Sequence, residues 1–163
     1  MGTTAETRAR PVALGDRAPD FTLPTQAGDL VALGDLVGEK AIVLYFYPKD
    51  NTPGCTAEAC AFRDSYAVFV EAGAEVVGVS SDSVASHAGF AAKNHLPFTL
   101  LSDRDGRVRQ LYGVEKTMSL LPGRVTYVID HAGIVRHVFS SQFGATTHVR
   151  EALDTIQGLH TRV

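Results

Sequence analysis

The sequence predicts an α/β fold, with a mixed central sheet flanked by helices and an N-terminal β-hairpin. The segment at 41–47 is continuously apolar and rich in β-branched and aromatic residues, which is typical of a strand buried on both faces of a sheet, and EVVGVSS at 75–81 predicts a second buried strand. A segment with helical periodicity follows each of them. Two strand-like segments around the tight turn at 131–133 predict a late hairpin. Together these features predict a three-layer arrangement with a sheet of mixed strand direction.

The first elements are a hairpin, a buried strand and a long helix. Residues 1–14 are expected to be flexible, and the turn sequence Pro-Thr-Gln-Ala-Gly-Asp separates the hairpin strands at 21–23 and 30–33. After the strand at 41–47, Thr52 is a good N-cap and Pro53 a good first helical residue. The predicted helix ends near residue 73. Its apolar residues recur every three or four positions, namely Ala57, Cys60, Ala61, Phe62, Tyr66, Phe69 and Val70.

The later elements follow from the same signals of apolar runs, turn residues and N-caps. They are a strand at 75–81, a helix from Asp82 or Ser83 to about His95, a strand at 98–103, a short helix within 104–113, hairpin strands at 124–130 and 134–140, and a helix capped by Thr146 or Thr147 that runs through Ile156. No linker or repeat interrupts the chain, so residues 1–163 are predicted to form a single domain.

Composition excludes several classes of function. The formal net charge of −3 argues against general affinity for nucleic acid or anionic membranes. The longest apolar run, at 41–47, is too short to cross a bilayer, and the N-terminus has no apolar stretch of the signal-peptide type. These features predict a cytoplasmic protein without a membrane partner, and removal of an organelle transit peptide stays open as the alternative. In a reducing compartment, a close pair of cysteines is more typical of catalysis, redox sensing or metal binding than of a structural disulfide.

The chemistry of the chain centres on Cys55 and Cys60, which are its only two cysteines. The Thr52-Pro53 helix start places Cys55 in the first helical turn, where free backbone N–H groups and the positive end of the helix dipole stabilise a thiolate. The alternative is that Cys55 is a small buried apolar residue of the helix. Its position at the helix start favours the reactive thiol.

Helix geometry separates the two thiols. Residues five apart in an α-helix have Cα atoms about 8.6 Å apart, beyond the limit of roughly 7 Å for a disulfide. The folded protein is therefore expected to be reduced. If Cys55 is oxidised, Cys60 can reach it only after the first turns of the helix unwind. Formation of a disulfide between the two cysteines is therefore predicted to require a conformational change.

Other arrangements of these residues are less well supported. A structural zinc site usually needs four ligands, and the six histidines are scattered, so no metal is expected. The absence of a Cys-x-x-Cys motif argues against a general thiol–disulfide oxidoreductase. Glu58 and Arg63 are expected to pair on the helix surface, where such pairs contribute little to stability.

The residues around Cys55 resemble the peroxiredoxin family, whose loop has the pattern Pro-x-x-x-Thr/Ser-x-x-Cys. The segment PKDNTPGC supplies Pro48, Thr52 and Cys55 in register. The position of Cys60 is similar to that in the atypical 2-Cys subclass called peroxiredoxin Q or bacterioferritin comigratory protein. The segments GDRAPDFTLPTQAGDLVAL, LPGRVTYVIDHAGIV (which contains Arg124) and SSQF extend the resemblance over about residues 15 to 158.

The resemblance implies a thioredoxin-like fold and a role for each matching residue. Cys55 would be the peroxidatic nucleophile, which becomes a sulfenic acid. Thr52 would hydrogen bond with the peroxide and the thiolate, Arg124 would stabilise the thiolate and polarise the O–O bond, and Pro48 would shield the site from water. Cys60 would resolve the sulfenic acid as an intramolecular disulfide.

The function predicted on this basis is that of a thiol peroxidase. It would reduce hydrogen peroxide and alkyl hydroperoxides, take electrons from thioredoxin or a similar dithiol, use no bound cofactor, and act as a monomer. A second hypothesis stays open, because a redox sensor or partner-binding switch would use the same disulfide. The residues alone do not separate the two.

Overall fold

The computed structural model describes residues 11–114, 116–117, 121–122, 124–140 and 145–160. The SSQF motif lies outside this part of the chain, apart from Ser140. Within the described residues, helices are too short or too polar to span a membrane. Val12 is buried and its N–H donates to the Tyr112 carbonyl at 3.0 Å. Of the segment 1–14 that was predicted to be flexible, residues 1–10 lie outside the described residues, and at Val12 the segment is packed against the core.

The elements alternate between strand and helix for most of the chain. The strands are β1 (Thr22–Pro24), β2 (Leu30–Ala32), β3 (Ala41–Phe46), β4 (Ala74–Ser80), β5 (Thr99–Ser102), β6 (Lys116–Thr117), β7 (Leu121–Pro122), β8 (Val125–Ile129) and β9 (Val135–Ser140). The helices are α1 (Leu33–Leu36), α2 (Pro53–Glu71), α3 (Val84–Asn94), α4 (Arg107–Tyr112) and α5 (Ala145–His160).

A five-stranded mixed sheet lies at the centre, in the order β5-β4-β3-β8-β9. β3, β4 and β5 are parallel, whereas β8 runs antiparallel to β3 and β9 antiparallel to β8. Every residue of β3 is buried, as its continuous apolar sequence predicts. β1 and β2 form a separate antiparallel hairpin. The predicted fold class, a mixed α/β sheet with an N-terminal hairpin, is confirmed.

Alternate residues of β3 face two apolar layers. On one face, Tyr45 stacks on Phe62 of α2 with ring centroids 4.6 Å apart, and residues of α3 and α5 complete that layer. On the other face, Phe46 packs against Tyr112 of α4 and against β8. Gly78 of β4 makes room for the Tyr45 ring, because a Cβ there would lie 2.8 Å from it. This packing fixes the end of β3 from which the candidate site begins.

Several elements differ from the predictions. The short α1, β6 and β7 were not predicted, since two to four residues carry no measurable periodicity. Thr146 and Thr147 lie inside α5 instead of capping it, and α5 continues past Ile156 to residue 160. The other helices and strands begin and end within about two residues of the predicted positions.

Candidate active site

The loop between β3 and α2 sets the start of the cysteine helix. Asn51 adopts a left-handed conformation with φ of 67°, which asparagine tolerates better than most residues. Thr52 follows as the N-cap, and its Oγ1 accepts a hydrogen bond from the Cys55 N–H at 3.3 Å. The same hydroxyl donates to the Lys49 carbonyl at 3.1 Å. The predicted helix start, with Cys55 in the first turn, is confirmed.

Arg124 reaches the Cys55 sulfur from the neighbouring strand. It directly precedes β8, which pairs with β3, and its Nη2 donates to Cys55 Sγ at 3.5 Å. Both side chains are buried, with relative exposures of 4% for Arg124 and 1% for Cys55. Burial acts to lower the pKa of Arg124, but Glu58 and Cys55 raise it, and the net pKa lies above its usual value. The sulfur therefore lies between a fixed cation and the start of a helix.

Glu58 is a third member of this group. It lies one helical turn after Cys55, is fully buried, and accepts a hydrogen bond from Arg124 Nη1 through Oε1. Burial raises the pKa of Glu58 to about 7, although Arg124 acts in the opposite direction. The predicted surface pair of Glu58 with Arg63 is wrong, because Arg63 instead contacts Asp64 at 3.0 Å.

Pro48 and Cys60 lie on either side of this group along the chain. Pro48 is half-buried, two residues after the end of β3. Cys60 is half-buried in the second turn of α2, and its Sγ lies 3.7 Å from Oδ1 of Asn94 at the end of α3. Both cysteines are free thiols within one continuous helix, so a bond between them requires that helix to open.

Asp50 anchors the loop to α3. Its Oδ1 accepts from the Tyr47 hydroxyl at 2.6 Å, and its Oδ2 lies 2.7 Å from His87 Nδ1 and accepts from the Ser86 hydroxyl at 2.8 Å. Burial acts to raise the pKa of Asp50, but hydrogen bonds from His87 and Tyr47 outweigh it and lower that pKa. His87 Nε2 lies 3.0 Å from the Leu101 carbonyl, which can only accept, so this nitrogen carries a proton. The loop before Cys55 is thus held by a buried, charge-assisted network.

The same network brings together Asp50, Asp82 and His87, whose ligand atoms lie within 4.8 Å of one another. Asp82 Oδ2 accepts from the Asp50 N–H at 2.8 Å and from the Ser80 hydroxyl at 2.6 Å. Since hydrogen bonds already hold these carboxylates, the cluster is explained without a metal ion.

Arg109 supports the end of β3 from the other side of the sheet. Its Nη2 donates to the Tyr47 carbonyl at 2.9 Å, and its guanidinium lies 5.7 Å from the centre of the Phe46 ring. Burial lowers the pKa of Arg109. The strand end that precedes the loop is therefore fixed by a second buried arginine.

The structure brings Thr52, Cys55 and Arg124 together as the sequence suggests, whereas Pro48 lies in the loop before α2 and Cys60 in the second turn of that helix. Sequence reasoning missed Glu58 and the anchor formed by Asp50 and His87. A signal for His87 existed, because His87, Phe90 and Ala91 share the buried face of α3 at helical spacing. For Glu58 the corresponding signal was its helical spacing, because it lies three residues after Cys55 and four residues before Phe62, which are both buried on α2.

Comparison with known proteins supplies the family. Residues 14–138 match the AhpC/TSA family. A relative from Triticum aestivum named "Peroxiredoxin Q, chloroplastic" is 51% identical over 149 residues, which cover 91% of this chain and 68% of that protein.

Solved structures agree with the match. Peroxidoxin BcpB from Mycobacterium tuberculosis superimposes with a TM-score of 0.85 at 40% identity, covering 91% of this chain and 98% of that one. The bacterioferritin comigratory protein of Xanthomonas campestris, solved for insight into its alkyl peroxide reduction activity, has a TM-score of 0.81 at 30% identity, covering 91% of this chain and 97% of that one. These matches also confirm the thioredoxin-like character of the fold.

The predicted cytoplasmic location is wrong on this comparison. The relatives at about 50% identity carry names that place them in the chloroplast. The absence of an apolar signal stretch does not indicate the cytoplasm, because chloroplast transit peptides are amphipathic segments without one.

Proposed function

Since this chain belongs to the AhpC/TSA family and is a thiol-dependent peroxidase of the peroxiredoxin Q type, we propose that Cys55 is its peroxidatic nucleophile and Cys60 its resolving cysteine. The observation that carries the assignment is the contact of Arg124 Nη2 with Cys55 Sγ at 3.5 Å, at a helix start capped by Thr52. A buried cation and the helix start both favour a thiolate at this sulfur. Cys60 has neither a helix start nor Arg124 beside it.

The peroxide enters between these groups in the proposed mechanism. The Cys55 thiolate attacks one oxygen of the O–O bond, so the S–O bond forms while the O–O bond breaks. The other oxygen leaves as water or an alcohol after it gains a proton. Arg124 faces the sulfur and is positioned to stabilise the charge that moves onto the leaving oxygen. The Thr52 hydroxyl orients the peroxide, and Pro48 covers the loop side of the site.

Cys60 completes the cycle after α2 opens. Its thiol attacks the Cys55 sulfenic acid, a disulfide forms, and water leaves. Cys60 is half-buried on α2, beside Asn94 at the end of α3. This position supports the order, because opening of the first turns of α2 allows Cys55 to move toward Cys60. A dithiol protein then reduces the disulfide by exchange, and thioredoxin is the reductant that we propose.

Hydrogen peroxide and alkyl hydroperoxides are the proposed substrates. The Xanthomonas campestris relative supports the second class through its alkyl peroxide reduction activity. We propose that the chain acts as a monomer without a bound cofactor, because both cysteines of the reaction lie on one helix of one chain. The comparisons favour catalytic turnover over the sensor hypothesis, which uses the same disulfide.

The test is peroxide consumption with thioredoxin, thioredoxin reductase and NADPH. Wild type is expected to turn over, Cys55→Ser to be inactive, and Cys60→Ser to reduce about one equivalent of peroxide and then stop. Mass spectrometry of peptides from the oxidised wild type should show the Cys55–Cys60 disulfide. Activity of Cys55→Ser at the wild-type rate would overturn the assignment of the nucleophile.

The reductant is tested separately from the nucleophile. If wild type forms the disulfide but thioredoxin does not reduce it, the proposed reductant is wrong while the roles of the cysteines stand. Replacing thioredoxin with a small dithiol such as dithiothreitol should then restore turnover. Size-exclusion chromatography of reduced and oxidised protein tests the proposed monomer.

A further inference from the structure

One guanidinium serves two acidic groups in this site. Cys55 and Glu58 lie one turn apart on the inner face of α2, and Arg124 contacts Glu58 through Nη1 and Cys55 through Nη2. All three side chains are buried. Two anions beside Arg124 carry more negative charge than its one guanidinium compensates, and an uncompensated charge is strongly unfavourable away from water. Geometry alone therefore disfavours the state in which both acids are ionised.

The second oxygen of Glu58 strengthens this argument. Glu58 Oε2 is buried and has no hydrogen-bond partner among the described residues, and His148 Nδ1 lies 3.7 Å from it. A carboxylate oxygen without a donor is costly to bury, whereas a protonated carboxyl places its proton on this oxygen and is neutral. Burial accordingly raises the pKa of Glu58 to about 7.

The groups around Glu58 come from four parts of the fold. Cys55 lies on α2, Arg124 directly precedes β8, His148 lies on α5, and Tyr45 lies on β3. Burial raises the pKa of Tyr45 well above its usual value, so Tyr45 stays a neutral phenol. His148 Nδ1 lies 2.8 Å from the Thr126 hydroxyl. Among the described residues, Cys55 and Glu58 are thus the two acids that contact Arg124.

We propose that Cys55 and Glu58 share one proton in the reduced enzyme, and that Glu58 releases this proton when peroxide oxidises Cys55. The inference rests on the proposed role of Cys55. Before the step, the pair holds a thiolate and a carboxylic acid. Afterwards it holds a neutral sulfenic acid and a carboxylate, so Arg124 faces one negative charge throughout. Glu58 acts here as a positioning residue, because it contacts Arg124 instead of the reacting atoms.

The balance of atoms and charge supports this pairing. The sulfur of the thiolate bonds to the terminal oxygen of the peroxide, the O–O bond breaks, and the sulfur is oxidised while the peroxide is reduced. The leaving oxygen carries the negative charge and needs one proton, and Glu58 loses one proton in the same step. The half-reaction then draws no net proton from solvent, although the reaction of an isolated thiolate draws one.

Counting protons tests the inference in a Cys60→Ser background, which stops at the sulfenic acid. The protein is mixed with one equivalent of hydrogen peroxide in weak buffer containing a pH indicator dye. At roughly pH 6, below the pKa of about 7 that burial gives Glu58, the inference requires that losing the thiolate charge makes Glu58 give up its proton, and the uptake expected is then far less than one proton per oxidised Cys55. At roughly pH 8, uptake should rise to about one proton, because Glu58 is already ionised.

Substituted proteins identify the group responsible. In the same background, Glu58→Gln should take up about one proton at both pH values. Glu71→Gln, the same change at the exposed end of α2, should behave like the parent. Ultraviolet absorbance of the thiolate, recorded on the same samples, gives the ionisation of Cys55 before mixing. The pH dependence of the Cys60→Ser parent provides a second test, which does not depend on whether Glu58→Gln folds.

Two outcomes would overturn the inference. The first is uptake of one proton by the parent at roughly pH 6, equal to that of Glu58→Gln with the same thiolate content. The second is that trapping with dimedone and mass spectrometry find Cys55 unoxidised, in which case the proposed nucleophile fails and the inference fails with it. If Cys55 is oxidised and one full proton is taken up, only the sharing of a proton with Glu58 fails, and the proposed nucleophile stands.

Discussion

Gly54 is the residue that lets Arg124 reach the sulfur of Cys55. A Cβ at this position would lie 3.0 Å from Arg124 Nη2, the nitrogen that contacts Cys55 Sγ. Sequence reasoning identified Cys55, Thr52 and Arg124 as neighbours through a family pattern, but the need for glycine beside the cysteine follows only from the path of the guanidinium. An arginine 70 residues away in the chain cannot be placed at that distance from composition or periodicity.

We expect Gly54→Ala to slow the oxidation of Cys55 by about 10- to 100-fold, because the added methyl group displaces Arg124 Nη2 from the sulfur. Stopped-flow measurement of the first turnover with hydrogen peroxide gives the rate constant. Gly89→Ala is the matched control, since Gly89 is exposed on α3 and its added Cβ meets no atom within 4 Å. Equal rates for Gly54→Ala and wild type would show that the close approach is unnecessary.

We expect Arg124→Lys to lower the second-order rate constant with peroxide by about 10²- to 10³-fold. Lysine keeps the charge, but one ammonium group cannot reproduce the two-pronged contact with Glu58 and Cys55. Arg136→Lys serves as the control, because Arg136 is exposed and forms its ion pair with Asp130 instead of with Glu58 or Cys55. A rate for Arg124→Lys within about threefold of wild type would contradict the role of the guanidinium fork.

At the scale of elements, α2 shows where helical periodicity is a weak guide. The sequence predicts an apolar face that includes Ala57 and Val70, yet both are exposed. The buried positions near the start of α2 are instead Cys55, Glu58 and Ala59. Alanines lie on every side of this helix and carry little information about its orientation, and an acid on a helix is normally solvated. The strand and turn signals around α2 were clearer, so its ends were predicted well.

The buried acid should make α2 sensitive to pH. Folded Glu58 keeps its proton up to about pH 7, whereas the exposed side chain ionises near its ordinary value of 4.5. The folded state therefore binds more protons between these values, and stability falls as pH rises through this window. The shift corresponds to roughly 3 kcal/mol. Urea unfolding of the reduced protein at several pH values measures the fall.

Two substitutions assign that fall to Glu58. Glu58→Gln cannot ionise, so its stability should not decline across the window, although it will start from a different value because Arg124 loses its ion pair. Glu71→Gln should keep the decline. An identical pH dependence for wild type and Glu58→Gln would mean that another group causes it.

At the scale of the whole molecule, the sequence predicted the components of the sheet better than their order. Buried runs identify β3 and β4, and the turn at 131–133 identifies the hairpin of β8 and β9. Hydrophobic periodicity does not indicate that β8 pairs with β3. The thioredoxin-like strand order was implied by the resemblance around Cys55. Pairings between distant strands depend on side-chain packing across the sheet, such as Val43 between Val76 and Val128, which a local pattern does not encode.

Oxidation should open the molecule in one place only. The loop before Cys55 is anchored to α3 through Asp50 and His87, so unwinding is expected to begin after the loop and to involve the first turns of α2. Hydrogen exchange with mass spectrometry should show faster exchange at 53–60 in the disulfide form than in the reduced form. β3 and α3 should stay protected. Loss of protection across the sheet would contradict a local opening.

The separation of the two thiols along α2 has a consequence for how the protein responds to peroxide dose. The sulfenic acid at Cys55 exists for as long as the helix takes to open, and during that time a second peroxide molecule can oxidise it to sulfinic acid, which lacks a general route of reversal. The extent of inactivation therefore depends on the rate of helix opening relative to the rate at which a second peroxide oxidises the sulfenic acid, and the latter rises with peroxide concentration. A substitution that stabilises the start of α2 without contacting the site would lower the peroxide concentration at which Cys55 is overoxidised and the enzyme is inactivated.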